Sequence, residues 1–189
     1  MITAKSVDRK LVVDILTRSF IDNKSVNYLI KQDRSREARI KSLMEYSFDV
    51  CCLFGEVYLT EDKKGCALAL KPEQKRATFN SILLDVKFIF SVLGFSRIQK
   101  TMKREAVIKK NHPEGLLYYL WFIGVAPSHQ GQGIGSNLLN EIIQKGLTEN
   151  RTICLETSTL KNIPWYQKHG FKIYRELDFG YKLYCMKRP

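Results

Sequence analysis

A run of nine apolar residues, LYYLWFIGV (117–125), ends at Ala126-Pro127, passes through SHQGQGIG and continues as NLLNEIIQKGL. Apolar character at every position, not at alternate ones, marks a strand buried on both faces, which requires structure packed against each side of a sheet. The segment behind the loop places its apolar residues at helical spacing. A buried strand, a short loop and a helix therefore occupy the centre of the chain. The loop holds Gly131, Gly133 and Gly135 within five residues. Glycine loses the most backbone freedom on folding, so three so close together imply an unusual turn or a close approach to the backbone.

Spacing excludes two familiar phosphate loops. A G-x-G-x-x-G pattern counted from Gly131 and Gly133 would need a third glycine where Ser136 stands, and the Gly-Lys-Ser/Thr of a P-loop is missing its lysine. A more general function survives. A strand, a glycine turn and a helix start aim several free N–H groups at one point, and the helix dipole adds positive potential there. The loop reads as a cradle for pyrophosphate.

Around this centre the chain reads as alternating elements with no repeat and no low-complexity linker, and hence as one domain, 1–189. ITAKSV is strand-like. Asp8 is placed to cap a helix in which Leu11, Val12, Ile15, Leu16 and Phe20 share a face. SVNYLI suggests a short helix and 34–54 a longer one. EVYLT and CALAL form a hairpin, with Gly65 at the position expected to need positive φ. Residues 74–110 read as helix broken near Gly94-Phe95. TICLETS, FKIYREL and YKLYCMKR are strands, and IPWYQKHG is a short helix. The fold class expected is α/β, or mixed α+β.

The chain carries 31 Lys and Arg against 19 acids, a formal charge of +12. Such a surplus suits nucleic acid, an anionic surface or a phosphate-bearing cofactor. It is densest from 97 to 110. The five cysteines contain no CxxC pair and sit in apolar contexts, which reads as free buried thiols in a reducing compartment. With no apolar leader and no stretch long enough to span a bilayer, a cytoplasmic location is expected. No Cys/His cluster has metal spacing, so no metal is expected.

Gln130-x-x-Gly133-x-Gly135, between a strand and a helix, resembles the Q/R-x-x-G-x-G/A motif of GNAT-type acetyltransferases. LETSTLKNIPWYQKHGF (155–171) continues the likeness, with Asn162, Tyr166 and Gly170-Phe171 in order. The strand-borne LET, the N-x-P-x-Y and the terminal CM-x-R are similar to the puromycin N-acetyltransferase-like branch. The likeness is carried almost wholly by 116–188. It implies a central, mostly antiparallel sheet of about seven strands flanked by helices, with 71–115 as a helical substrate side and 116–170 as the acetyl-CoA-binding core.

The resemblance also implies roles. Backbone groups of Gln130, Gly131, Gln132, Gly133, Ile134, Gly135 and Ser136 would hold the pyrophosphate of acetyl-CoA. Ile123, Gly124 and Val125 would bond its pantetheine arm like an added strand, although Ile123 and Val125 also suit a core. Asn162 would bond a pantetheine amide, or cap the helix that Pro164 begins. Tyr166 would protonate the departing thiolate. Glu156, a carboxylate within a buried strand, would take the proton of the attacking ammonium or else form a structural ion pair. Phe20, Tyr28, Tyr118 and Tyr119 are candidate acceptor contacts. His112, His129 and His169 read as loop or helix-end residues without a catalytic part. Leu117 stands where related sequences often carry histidine.

The function expected is transfer of acetyl from acetyl-CoA to a primary amine of a small molecule, by a monomer or homodimer acting without membrane or nucleic acid. A protein or peptide acceptor, an acyl-CoA-binding protein without turnover, and a nucleic-acid-binding module using the 97–110 helix are the alternatives.

Overall fold

A computed structural model of the chain describes residues 1–93 and 97–189. Seven strands form one sheet in the order β1-β2-β3-β4-β5-β7-β6. They are β1 (Ile2–Thr3), β2 (Gly55–Leu59), β3 (Gly65–Leu70), β4 (Leu117–Val125), β5 (Thr152–Thr157), β6 (Lys172–Asp178) and β7 (Lys182–Arg188). Every neighbouring pair is antiparallel except β4 with β5. The helices are α1 (Arg9–Ser19), α2 (Lys24–Leu29), α3 (Arg36–Phe54), α4 (Phe79–Phe88), α5 (Ile98–Lys110), α6 (Ile134–Thr148) and α7 (Ile163–Lys168).

Two apolar cores, one on each side of the sheet, explain the continuous hydrophobicity of β4. On one side Val12, Leu16, Ile40, Met44 and Phe48 of α1 and α3 pack with Leu68 and Phe122. On the other, Leu138, Leu139 and Ile142 of α6 pack with Tyr118, Leu120, Ile153 and Phe171. Tyr118 and Leu120 belong to the α6 side, but Phe122 belongs to the α1 side. A β-bulge causes the switch: Leu68 pairs with Phe122 and Ala69 with Leu120, which leaves Trp121 as the extra residue. An inserted residue reverses the facing of all that follows.

Several local expectations give way to other devices. Asp8 does not bond the N-terminus of α1; its carboxylate accepts the Lys5 N–H at 3.0 Å and closes the preceding 3-10 turn. In the β2–β3 hairpin the left-handed residue is Lys63 (φ 56°), and Gly65 has no positive φ. Gly65 is confined instead by the methyl groups of Ile134 and Thr60, each 3.2 Å from where a Cβ would lie. Residues 75–78 are not helical, and α4 begins at Phe79, where Thr78 and Ser81 cap each other. A π-helical turn, Ile89–Leu93, follows α4; the break expected at Gly94-Phe95 falls outside the described residues. Cys51, Cys66, Cys154 and Cys185 are buried free thiols, but Cys52 is exposed. No helix among the described residues is long and apolar enough to cross a membrane.

Candidate active site

β4 and β5 run together only briefly. Leu117, Tyr118 and Tyr119 pair with Thr152, Ile153 and Cys154, and the pairing stops there. β5 stays paired with β7 on its other edge from 153 to 157, while the β5-facing edge of β4 from 120 to 125 is left open. A cleft of about 1500 Å³ occupies the divergence.

The glycine loop forms one end of this cleft. Gly131 and Gly133 have φ of +77° and +81°, and a Cβ on either would meet no atom within 4 Å. Gly133 is the N-cap of α6, so the free N–H groups of the first helical turn open from this point. Two bonds hold the loop in place. Gln130 Nε2 donates to the Val125 carbonyl at 3.1 Å, and Trp165 Nε1 donates to Ser136 Oγ at 2.9 Å. The second bond links the start of α6 to α7, which carries Tyr166.

Gln130, Gly131, Gly133, Gly135 and Ser136 all line the cleft, as do Ile123, Gly124, Val125 and Asn162; the side chains of Gln132 and Ile134 do not. Gly124 is closely packed: a Cβ there would lie 3.0 Å from Leu16 Cδ2 and 3.2 Å from Ser19 Oγ, so those side chains would have to shift. The Val125 carbonyl is already engaged, accepting from Ser19 Oγ at 2.9 Å as well as from Gln130. Asn162 sits at the N-cap of α7 but makes no capping bond through its side chain, which leaves the amide to the cleft.

Tyr166 lines the cleft with 6% of its surface exposed, and its hydroxyl bonds to nothing among the described residues. Burial pushes the phenol up from its ordinary pKa, so it keeps its proton. Glu156 projects from β5. Its Oε2 accepts the Tyr119 hydroxyl at 2.5 Å. Burial, and then the negative charge of Glu156, hold the Tyr119 hydroxyl well above its usual range, so it remains the donor. Glu156 has no Lys or Arg partner among the described residues; the cation-forming group nearest to it is His112, with Nε2 3.4 Å from Oε1.

His112 was the residue missed. The sequence places it beside Pro113 in a loop, which suggests exposure, yet the turn after α5 brings the ring into the cleft against Tyr119, with centroids 5.1 Å apart. Nothing local in the sequence signals that burial. Leu117 is buried on β4, and the imidazole reaches the cleft from this loop instead. His129 is half-buried at the cleft rim and bonded to Ser128, and His169 closes α7 through the Trp165 carbonyl, in keeping with loop and helix-end roles.

The aromatic candidates divide. Phe20 lines the cleft, edge-on to Phe122 at 5.1 Å, and Tyr119 lines it too. Tyr118 does not. It lies on the α6 side, fully buried, its hydroxyl donating to Glu56 and sitting 3.2 Å from that of Tyr58. Tyr28 also lies outside the lining, packed on Tyr181 and Phe179 with Lys100 over its ring at 3.9 Å.

The basic 97–110 segment is not a uniform charged stripe. Arg97 donates to the Tyr28 carbonyl at 2.8 Å, and Arg104, only 7% exposed, binds Tyr181, Ser25 and Glu105. Lys109 turns into the cleft lining. Arg97 and Arg104 fasten α5 over the cleft. Among the described residues no group of His, Cys, Asp and Glu could hold a metal ion.

Comparison with known proteins agrees with this geometry. Residues 87–173 match the family model described as an acetyltransferase (GNAT) domain. Across its whole length the chain superposes on histone acetyltransferase HPA2 and related acetyltransferase from Corynebacterium glutamicum, with a TM-score of 0.70, 20% identity and 94% of that chain covered. The C-terminal condensation domain of Ebony, solved with beta-alanyl-dopamine, gives 0.70 at 13% identity, covering 99% of this chain and 96% of that one. An N-acetyltransferase from Staphylococcus aureus Mu50 gives 0.57 at 16% identity, covering 98% of both. The glycine loop between β4 and α6, the divergence of β4 from β5 and the family model over 87–173 together support an acetyltransferase of GNAT type, for which acetyl-CoA is the usual donor.

Proposed function

We propose that the chain moves acetyl from acetyl-CoA to a primary amine of a small molecule by direct transfer. One observation carries the reading: the glycine loop, Tyr166 and Glu156 all line the same cleft, which opens where β4 and β5 part. The loop amides and the α6 dipole would hold the pyrophosphate. The pantetheine arm would lie along the open edge of β4, with Asn162 bonding one of its amides. A helix over the acceptor side, α5, contributes Glu105, Ile108 and Lys109 to the lining, and a roofed site favours a small body over a peptide.

The chemistry balances without an acyl-enzyme. Glu156 takes one proton from the ammonium, leaving a lone pair to attack the thioester carbonyl. A C–N bond forms, the tetrahedral intermediate collapses, and the C–S bond breaks. Tyr166, held protonated by burial, hydrogen-bonds the developing thiolate and passes it a proton. The nitrogen sheds its second proton to water, Glu156 releases the proton it took to solvent, and Tyr166 regains its own from solvent. The buried cysteines are poor nucleophiles, since burial raises their pKa.

The assay is release of CoA thiol from acetyl-CoA in the presence of an amine. Tyr166→Phe should lower kcat by roughly 10²- to 10⁴-fold, the usual worth of a placed acid, with little change in acetyl-CoA affinity. Unchanged kcat in Tyr166→Phe would remove the tyrosine from the mechanism.

A further inference from the structure

Helix α4 is fastened to the body of the protein along one face. Phe88 stacks on Tyr46 of α3 at 4.3 Å, the Tyr46 hydroxyl donates to Asp85 at 2.7 Å, and Ser81 is buried. These three α4 residues lie within about 60° of one another around the helix. The face turned away from them is apolar. Phe79, Ile82, Leu83 and Val86, spaced i, i+3, i+4 and i+7, fall on one stripe, and they are between 44% and 82% exposed. Apolar side chains scattered singly over a surface need no cause, but a contiguous row of four marks a contact.

The charges around the row select what covers it. Arg76 stands three residues ahead of Phe79, and Lys87 follows Leu83 at i+4, on the flank of the stripe. Both cations are exposed, and neither is within ion-pair distance of an acid among the described residues. The acids of the same stretch are engaged: Glu73 binds Arg151 at 2.7 Å, Asp85 accepts from Tyr46, and Glu105 is bound by Arg104. Residues 71–110 hold ten basic side chains and three acidic ones, which is seven of the net twelve positive charges.

A second copy of the chain on this face would set these cations against their own kind. An acidic peptide would meet the charges, but it needs a groove for its anchors. None of the four stripe residues lines the cleft, and the hollow between α3 and α4 is about 10 Å³, room for a water at most. An anionic bilayer meets both features. Its headgroups attract the cations, and the boundary of its acyl chains takes up the stripe without a shaped pocket.

We propose that α4 is a membrane-surface contact: Phe79, Ile82, Leu83 and Val86 enter the boundary between headgroups and acyl chains of an anionic bilayer, and Arg76 and Lys87 lie among its phosphates. No helix among the described residues is long and apolar enough to cross a membrane, but an interfacial helix lies in the plane of the headgroups and needs no such length. Phe88, on the inner face of α4, lines the cleft, so docking through α4 holds that wall of the cleft beside the bilayer. The inference stands whether or not the cleft transfers acetyl.

The test is co-sedimentation of the full chain with vesicles in the absence of acetyl-CoA. One set of vesicles is phosphatidylcholine, and the other is equal parts phosphatidylcholine and phosphatidylglycerol. Partition onto the anionic set should exceed that onto the neutral set by about tenfold or more, and it should fall as salt is raised. Arg76→Gln with Lys87→Gln should cut anionic partition several-fold. Phe79→Gln with Leu83→Gln should cut it by about tenfold or more, since two apolar side chains no longer leave water. All four side chains are at the surface, so both double variants should melt like the parent. Phe79→Trp gives a reading that needs no loss: its emission should shift to the blue on anionic vesicles by more than the parent's does. No binding to either set, equal binding to both, or anionic binding unchanged in Phe79→Gln with Leu83→Gln would overturn the proposal. A dimer that this variant dissociates, seen by ultracentrifugation without vesicle binding, would assign the stripe to a second copy and overturn it too. Binding to duplex DNA but not to vesicles would do the same by assigning the cations to nucleic acid.

Discussion

Replacing Gly133 by alanine isolates what the loop geometry requires. At φ +81° an L-residue is strained by roughly 1–2 kcal/mol. Alanine also restricts the unfolded chain, which returns about 0.4–1 kcal/mol. No atom lies within 4 Å of the new Cβ, so no clash adds to this. The net loss is about 1 kcal/mol, or roughly 2–4 °C in Tm for a chain of this size. Gly135 is the internal control. It lies inside α6 with no positive φ, and a Cβ there makes ordinary contacts of 3.5 Å with Val125 and 3.7 Å with Trp165. Ala is favoured over Gly by about 1 kcal/mol in a helix, so Gly135→Ala should be neutral or stabilising. Thermal melts of both variants give stability, and calorimetric titration with acetyl-CoA gives affinity. Gly133→Ala should lose about tenfold in affinity, or about 1.4 kcal/mol, by turning the loop amides away from their common point. The reasoning fails if Gly133→Ala melts like the parent, or if Gly135→Ala is the more damaging in both measurements.

Tyr118→Phe strips a hydroxyl that serves Glu56 and Tyr58 on the α6 side of the sheet; it should cost about 1–3 kcal/mol in chemical denaturation and leave the acceptor KM where it was, and a shifted KM at full stability would return Tyr118 to the pocket. Alkylation of the native protein with iodoacetamide, followed by intact mass, should stop at one adduct, on Cys52, with the four buried thiols reacting only after denaturation; adducts on Cys154 or Cys185 in the folded state would contradict the packing of β5 on β7. Trp165→Phe removes the bond from Nε1 to Ser136 that ties α7 to the glycine loop, so it should weaken acetyl-CoA binding and lower kcat together, and loss of stability with unchanged kinetics would show the bond to be structural only.

How much of this was legible in the sequence varies by kind of residue. The centre was readable because its signals are local: an uninterrupted apolar strand, glycines behind it, then helical spacing. The Gln130 loop and Tyr166 followed from motif order alone. Register was not readable. The bulge at Trp121 turns Tyr118 and Phe122 to opposite faces, and no composition rule distinguishes Tyr118 from Tyr119 as the one that meets the cleft. His112 failed for a related reason, since its burial is imposed by α5 and β4 closing over a loop that looks exposed. The 97–110 segment was legible only as a density of cations, which left a nucleic-acid surface open as an alternative; that Arg97 and Arg104 bond to Tyr28, Tyr181 and Ser25 is a long-range arrangement that a charge count cannot reveal.

The central claim, that acetyl-CoA lies across the glycine loop and the open edge of β4, is tested most directly by melting the protein with and without it. At a hundred times its dissociation constant a ligand bound only to the native state adds about 2.7 kcal/mol, which at roughly 2–4 °C per kcal/mol is a rise of several degrees. The account predicts that rise with acetyl-CoA and little change with adenosine, which lacks the pyrophosphate. No shift at millimolar acetyl-CoA, or an equal shift with adenosine, would contradict it.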